Sequence, residues 1–170
     1  MSAAGSFRLN AATLKFAMDY IVVMVCPHKG ARMFTLQMSF GGRHLDWQVA
    51  CSAQVFHTLR TTFSVLEHLS LEYRRHTISS EWNNEADRTQ WREFLMSFDN
   101  LKTLRMDSQE SAFVGQLSRS LQSSEGESPT ELLPELQELS YSTGGSLPDA
   151  FDPFVDARRK AGRPMAVIRR

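Results

Sequence analysis

The sequence has little of what usually marks secreted, membrane-spanning or polyanion-binding proteins. Its 19 basic and 19 acidic side chains cancel, which argues against strong attraction to nucleic acid or to an anionic membrane surface. Its two cysteines, Cys26 and Cys51, form no disulfide or metal spacing, and MSAAGSFRLN at the start lacks the parts of a signal peptide. The longest apolar run, residues 17–26, is shorter than the roughly 20 residues of a spanning helix and contains Asp19. We therefore expect an intracellular protein, cytoplasmic or nuclear, with this run as a strand.

A recognisable active site is also missing from the sequence. Cys26 and His28 lie close together, but no third group is identifiable that would orient the imidazole, and a hairpin turn explains the pair equally well. The five histidines never fall at the short spacings of a zinc site, and the glycines of STGGS at 142–146 lack the lysine of a phosphate-binding loop. We predict no catalytic, cofactor-binding or metal-binding residues.

What the sequence does contain is a repeat. MFTLQM, LEHLSL, LKTLRM and LQELSY share the pattern apolar-x-x-apolar-x-apolar, and they start at residues 33, 66, 101 and 136, which are 33, 35 and 35 residues apart. This period suits one strand, one helix and two loops. It predicts a single α/β domain over residues 7–170, built as a short leucine-rich-repeat-like solenoid with a mostly parallel sheet and helices on the outer face. Residues 1–6 and a loop at about 122–131 are polar enough to be mobile.

Between the repeat strands, the apolar spacing becomes helical. Trp47, Cys51, Val55 and Leu59 form a four-residue ladder, which predicts a helix with that row against the sheet. Val49, Ala53 and Phe56 widen the predicted buried stripe. Asn84 as N-cap, followed by apolar residues at 91, 94, 95 and 98, predicts the next helix.

The remaining elements follow from similar patterns. Asp107 and Glu110 have capping-box spacing before a helix that carries Phe113, Leu117 and Leu121 on one stripe. Pro153 suits the first turn of a last helix, which Gly162 ends, and a final strand follows at 165–168. Alternating apolar residues at 14–20 and 34–40 predict an antiparallel hairpin that caps the amino-terminal end.

Four stretches of the chain resemble one group of proteins. HLDWQVACSAQVF, LEHLSLEYRRHTISSEWNNEADRTQW, SPTELLPELQELSY and FDPFVDARRKAGRP are similar to the carboxy-terminal leucine-rich-repeat region of F-box proteins from mushroom-forming fungi (basidiomycetes), over roughly residues 30–170. The resemblance implies a repeat arc used for recognition. In such proteins an amino-terminal F-box engages the ubiquitin-ligase scaffold while the repeats hold the substrate. Because nothing before residue 30 resembles an F-box bundle, we expect either a carboxy-terminal fragment or a product that has lost the adaptor end.

Side-chain alternation identifies a candidate binding surface. Residues between the apolar positions of each repeat strand should face the open side of the sheet, aligning Thr35, Gln37 and Ser39 with the polar residues of the next three strands. The predicted protein-binding residues on this face and its rim are His68, Ser70, Glu72, Arg74, Arg75, Trp82, Thr103, Arg105, Glu138 and Ser140. Two alternatives stay open: Trp82 covers a helix edge, and the polar face serves only to keep the sheet hydrated.

These observations predict a non-enzymatic protein-interaction module, with substrate recognition for ubiquitin ligation implied by the resemblance. We expect an unidentified protein partner, no nucleic acid and no membrane, and self-association through the amino-terminal edge. A vestigial or truncated repeat protein without a partner is the alternative, and a small hydrolase-type enzyme comes third. The basic side chains from Arg158 to Arg170 fit an acidic partner, but they are more simply explained as cations that complement a helix C-terminus.

Overall fold

The computed structural model describes residues 10–17, 19–26, 33–39, 44–63, 65–74, 87–123, 128, 131–144 and 149–170. The expected mobile segments, 1–6 and most of 122–131, lie outside these ranges, as does the turn with His28. The elements of the described part are β1 (Ala11–Phe16), β2 (Tyr20–Cys26), β3 (Phe34–Ser39), α1 (Leu45–Thr58), α2 (Arg60–Phe63), β4 (His68–Tyr73), α3 (Arg88–Leu95), β5 (Thr103–Ser108), α4 (Ser111–Leu121), β6 (Glu138–Thr143), α5 (Asp152–Lys160) and β7 (Ala166–Arg169).

The strands form one sheet in the order β3-β2-β1-β4-β5-β6-β7. From β1 through β4, β5 and β6 to β7 all neighbours are parallel, while β2 pairs antiparallel with β1 and β3. Parallel neighbours need crossover connections, and here α3, α4 and α5 supply them for the last three pairs. The predicted α/β class with a mostly parallel sheet is therefore confirmed.

A repeated backbone contact shows which strands are equivalent. The carbonyl of Asn10, just before β1, accepts hydrogen bonds from the N–H groups of Glu67 and His68. The carbonyl of Glu67 accepts in the same way from residues 102 and 103, and that of Lys102 from residues 137 and 138. Because each strand enters the sheet through the same double contact with its neighbour, β1 occupies the first position of the stack.

The prediction that β3 is the first repeat strand is therefore wrong. β3 lies at the edge and pairs with β2, so Thr35, Gln37 and Ser39 are three strands away from His68. β3 does pair antiparallel with the strand that precedes it, but that strand is β2 and not the predicted stretch 14–20, which is divided between β1 and β2. β1 takes the place beside β4 because its own alternating apolar residues, Ala12, Leu14 and Phe16, are buried under the helices.

The ladder predicted to anchor α1 is also wrong. Trp47 and Leu59 are 53% and 41% exposed. The residues predicted to widen the stripe, Val49, Ala53 and Phe56, are the ones that are buried, together with Leu45. Two polar residues, Gln48 and Ser52, share the buried side of this helix. The Gln48 amide donates to the carbonyl of Ala17, and Ser52 donates to the carbonyl of Gln48. Polar residues that are buried through such hydrogen bonds hide the true buried face from a purely apolar pattern.

The cap of α3 is Asp87 rather than Asn84, which lies outside the described residues. An Asp87 carboxylate oxygen accepts from the backbone N–H of Gln90 at 2.8 Å, and the Gln90 side chain accepts from the backbone N–H of Asp87 at 2.9 Å. This reciprocal pair is a capping box. The four apolar residues predicted for its buried face, at 91, 94, 95 and 98, are all at most 1% exposed, so that prediction is confirmed.

The capping box predicted for α4 is absent, since Asp107 belongs to β5 and Glu110, the N-cap residue, makes no side-chain cap. Instead the Ser108 hydroxyl accepts from the backbone N–H of Glu110 at 3.0 Å. The predicted stripe of residues 113, 117 and 121 is buried. The last helix and strand are confirmed as α5, with Pro153 in its first turn, and β7.

The core lies between the sheet and its helices. Trp91 is fully buried at its centre, with its ring 5.7 Å from Phe16, 6.0 Å from Phe94 and 5.5 Å from Phe113, all edge-on. The apolar positions of the repeat strands belong to the same buried cluster, as predicted: Leu69, Leu71, Leu104, Met106, Leu139 and Tyr141. Over β1 and β4–β6 the helices cover this face, and the alternate side chains of these strands are left on the opposite face.

Candidate interaction surface

Strand register places the side chains of the opposite face of the sheet in rows across the strands. We call this face the open face. Cα partners across β1, β4, β5, β6 and β7 define its first two rows. The first row is Ala11, His68, Thr103, Glu138 and Ala166, and the second is Thr13, Ser70, Arg105, Ser140 and Ile168. The third row runs through Lys15, Glu72, Asp107 and Ser142. The predicted alignment of β4, β5 and β6 is therefore confirmed.

Glu72 is the charged centre of the third row. One of its carboxylate oxygens lies 3.0 Å from the Lys15 ammonium on the neighbouring strand and 4.0 Å from the Arg74 guanidinium at the end of its own strand. The Glu72 side chain is 19% exposed, less than either cation. An ion pair this close to solvent adds little stability, but the two cations fix where the carboxylate points.

A second ion pair lies on the next strand. The guanidinium of Arg105 is 3.7 Å from the carboxylate of Asp107, two residues along the same face of β5. The two side chains are 45% and 42% exposed, so both stay available to a partner. Together with Glu72 and its cations, this pair makes the open face charged but locally balanced.

A third ion pair marks the end of the sheet where the parallel strands begin. The Lys102 ammonium donates to the Glu67 carboxylate at 2.8 Å, and the two residues directly precede β5 and β4. This hydrogen bond, helped by the positive charges of Lys102 and His68, holds the pKa of Glu67 below its ordinary value, against a smaller opposing effect of burial. Glu67 therefore stays ionised at a lower pH than a free glutamate.

The predicted site residues differ in their access to solvent. His68, Arg74 and Arg105 are exposed, and Ser70, Glu72, Thr103 and Glu138 are half-buried. Ser140 needs a correction because it is only 1% exposed and contributes no contact area. Its Cα partners on the two neighbouring strands are Arg105 and Ile168. Arg75 and Trp82 lie outside the described residues.

The sequence pattern did not predict the polar residues Thr13 and Lys15 on this surface. They belong to the open face because β1 rather than β3 lies beside β4. A signal was present in the sequence: residues 9–16, LNAATLKF, fit the same repeat pattern once alanine is accepted at its second apolar position. Alanine is weakly hydrophobic, so a search for large apolar residues passes over this strand.

The described residues were also compared with the requirements of a metal site and of a membrane-spanning helix. Within them, no group of three His, Cys, Asp or Glu side chains is arranged to hold a metal ion. Their helices include none that is both long enough and apolar enough to cross a membrane.

No protein-family model matches the chain, and neither a curated protein nor a solved structure shows significant similarity to it. The open face itself is thus the available guide to function. Its rows offer hydroxyl, imidazole, carboxylate and guanidinium groups over five strands, which suits an extended polar contact with another molecule.

Proposed function

We propose that this chain is a protein-recognition module, a short leucine-rich-repeat-like arc that binds a protein partner on its open face. The observation that carries the proposal is the division of the sheet into two faces. One face is sealed by helices through Leu69, Leu104 and Leu139, and the other presents register-aligned polar side chains. A sheet with one face covered and one face polar provides a rigid platform on which several strands contribute to one contact.

The electrostatic pattern supports a protein partner over a polyanion. Each exposed cation of the open face that forms an ion pair does so with Glu72 or Asp107, and the whole chain carries no net charge. Nucleic-acid surfaces instead require an excess of basic side chains on one face. Mixed charges with defined positions are suited to a partner whose own charges alternate.

The resemblance to the repeat regions of fungal F-box proteins supports a narrower form of this proposal. In it, the partner is a protein destined for ubiquitin ligation, and the segment that follows β4 in the sequence, with Arg75 and Trp82, adds further contacts. Tryptophan and arginine contribute more than their share of binding energy in protein interfaces, which favours this segment as part of the contact.

Site-specific photo-crosslinking tests the proposal. A photoreactive amino acid at position 70, on the open face, should capture the partner from a host extract, whereas the same amino acid at position 119 should not. Arg119 is the matched control because it is exposed on α4, away from the sheet. The captured protein is then purified, and its affinity for the chain is measured by calorimetry.

Charge reversals at single positions complete the test. Arg105→Glu and Glu72→Arg should each weaken binding of the captured partner by about tenfold or more, Trp82→Ala should also weaken it, and Arg119→Glu should leave it unchanged. Circular dichroism must show that every variant stays folded. Equal crosslinking at both positions would contradict the proposal. Loss of binding only with Arg119→Glu would also contradict it and would place the interface on the helices.

A further inference from the structure

The edge strand β3 leaves apolar side chains exposed to solvent on the helix-facing side of the sheet. Phe34 and Leu36 are 54% and 49% exposed, yet they lie on the helix-facing side, opposite the buried Val25 and Val23 of β2. Within the described ranges, β2 is the one strand that pairs with β3. The outer backbone N–H and C=O groups of such a strand form a template for another strand.

The two edges of the sheet differ in chemistry. β2 and β3, with the sequences YIVVMVC and FTLQMS, contain no charged residue. The other edge strand, β7, carries Arg169, is followed by Arg170 and is preceded by Pro164. Charged residues and prolines are the usual protection of an edge against pairing, and β3 has neither.

We propose that β3 pairs antiparallel with β3 of a second copy of this chain across a two-fold axis, joining two sheets into one. A two-fold contact of this kind lays a strand against itself, so a charged residue near the axis would lie close to the same charge. The neutral composition of β3 removes that repulsion. A neutral strand can therefore pair with its own copy without charge repulsion, whereas β7 would bring two copies of Arg169 into the same contact.

The pairing register follows from keeping apolar side chains on one face. When Leu36 lies opposite the second copy's Leu36, Phe34 lies opposite the second copy's Met38, and Thr35 opposite the second copy's Gln37. Apolar residues then stay on the helix side and polar residues on the open side, whereas a shift by one residue would exchange the faces. A contact of six residues per strand is small for a dimer, so we expect weak, concentration-dependent association.

Sedimentation equilibrium on the full chain tests this dimer. The unmodified chain should approach dimer mass as its concentration rises. Leu36→Lys and Leu36→Glu should each raise the dimer dissociation constant about tenfold or more, because each places two like charges opposite one another. An equimolar mixture of the two variants should recover the dimer, since lysine then lies opposite glutamate.

Ile168→Lys is the matched control, because Ile168 is 38% exposed on the other edge strand and plays no part in the proposed pairing. It should leave the dissociation constant unchanged. If Ile168→Lys dissociates the assembly, the copies associate head to tail and the two-fold dimer is wrong. A monomer at millimolar concentration, or no recovery in the mixture of charged variants, would overturn the proposal as well.

Discussion

Arg158 provides the sharpest test of the packing, because its guanidinium is buried among backbone carbonyls instead of solvated. The residue is 1% exposed and donates to the carbonyls of Leu133, Pro134 and Leu136 at 3.1, 3.3 and 3.0 Å. Its guanidinium carbon also lies 5.6 Å from the centre of the Phe154 ring. Arg158 therefore ties α5 to the segment that leads into β6.

We expect Arg158→Met to lower the free energy of unfolding by about 2 to 4 kcal/mol. The Leu133 carbonyl keeps a second donor, the backbone N–H of Leu136, so the other two carbonyls bear the main loss. A buried polar group left without its hydrogen bond costs about 1 to 3 kcal/mol. Part of this loss is offset, because burial and the nearby Arg163 already disfavour the charged guanidinium and lower its pKa.

Urea denaturation followed by tryptophan fluorescence measures this change, with Arg159→Met as the matched control. Arg159 is the next residue, and its ion pair with Asp156 at 2.8 Å is 66% and 56% exposed, so its loss should cost at most about 1 kcal/mol. Arg158→Lys should not restore stability, since one ammonium cannot match a planar fork of donors. If Arg158→Met and Arg159→Met unfold at the same urea concentration, the hydrogen bonds of the buried Arg158 guanidinium do not stabilise the fold, which would refute this prediction.

Three further predictions test the core, a close backbone approach and an ion pair. Leu104→Ala should cost about 2 to 5 kcal/mol in urea denaturation because Leu104 is fully buried in a central strand, and a loss below about 1 kcal/mol would contradict that packing. Gly144→Ala should lower the melting temperature, since its new Cβ would lie 2.6 Å from a backbone carbonyl oxygen. Gly115→Ala should instead raise stability by about 0.5 to 1 kcal/mol, because Gly115 lies within α4 and the nearest atom to its new Cβ is 3.8 Å away. If both substitutions change stability in the same direction, this contrast is refuted. An NMR titration should place the pKa of the Glu67 carboxyl below its ordinary value of 4.5, and Lys102→Met should raise that pKa. Because the folded pKa is the lower one, the ion pair stabilises the fold above the unfolded pKa, and this stabilisation disappears as the pH falls through the folded pKa. A stability difference between the unmodified chain and Lys102→Met that stays constant across this pH range would be the contrary result.

The sequence predicted well wherever large apolar residues recur at the period of the element that buries them. Trp91, Phe94 and Leu95 identify α3 because large apolar side chains three and four residues apart lie on one face of a helix, which is buried in the core. The strands that carry Leu69, Leu104 and Leu139 were equally predictable, since each repeats the same pattern 35 residues after the last and each pairs in that register. Local pattern and final packing agree at these positions.

The sequence could not predict that β1, rather than β3, becomes the neighbour of β4. β1 lies beside β4 although α1, α2, β2 and β3 intervene along the chain, and its small Ala12 made it look unlike the other repeat strands. This one pairing moved Lys15 onto the open face and left β3 at the edge. Pairing between strands so far apart in the sequence depends on how all the strands pack together against the helices. The residues that decide this packing are spread over the whole chain.

The sequence by itself therefore determined the α/β class, the repeat period and the apolar side of most elements, because these depend on local spacing and on the hydrophobicity of single side chains. The tertiary structure alone decided the fate of polar groups. Gln48, Ser140 and Arg158 are buried polar residues that no hydrophobic pattern would place inside. Gln48 and Arg158 can be buried because backbone carbonyls from distant parts of the chain accept their hydrogen bonds, and Ser140 lies between two paired strands of the sheet. Such partners exist only after the chain has folded.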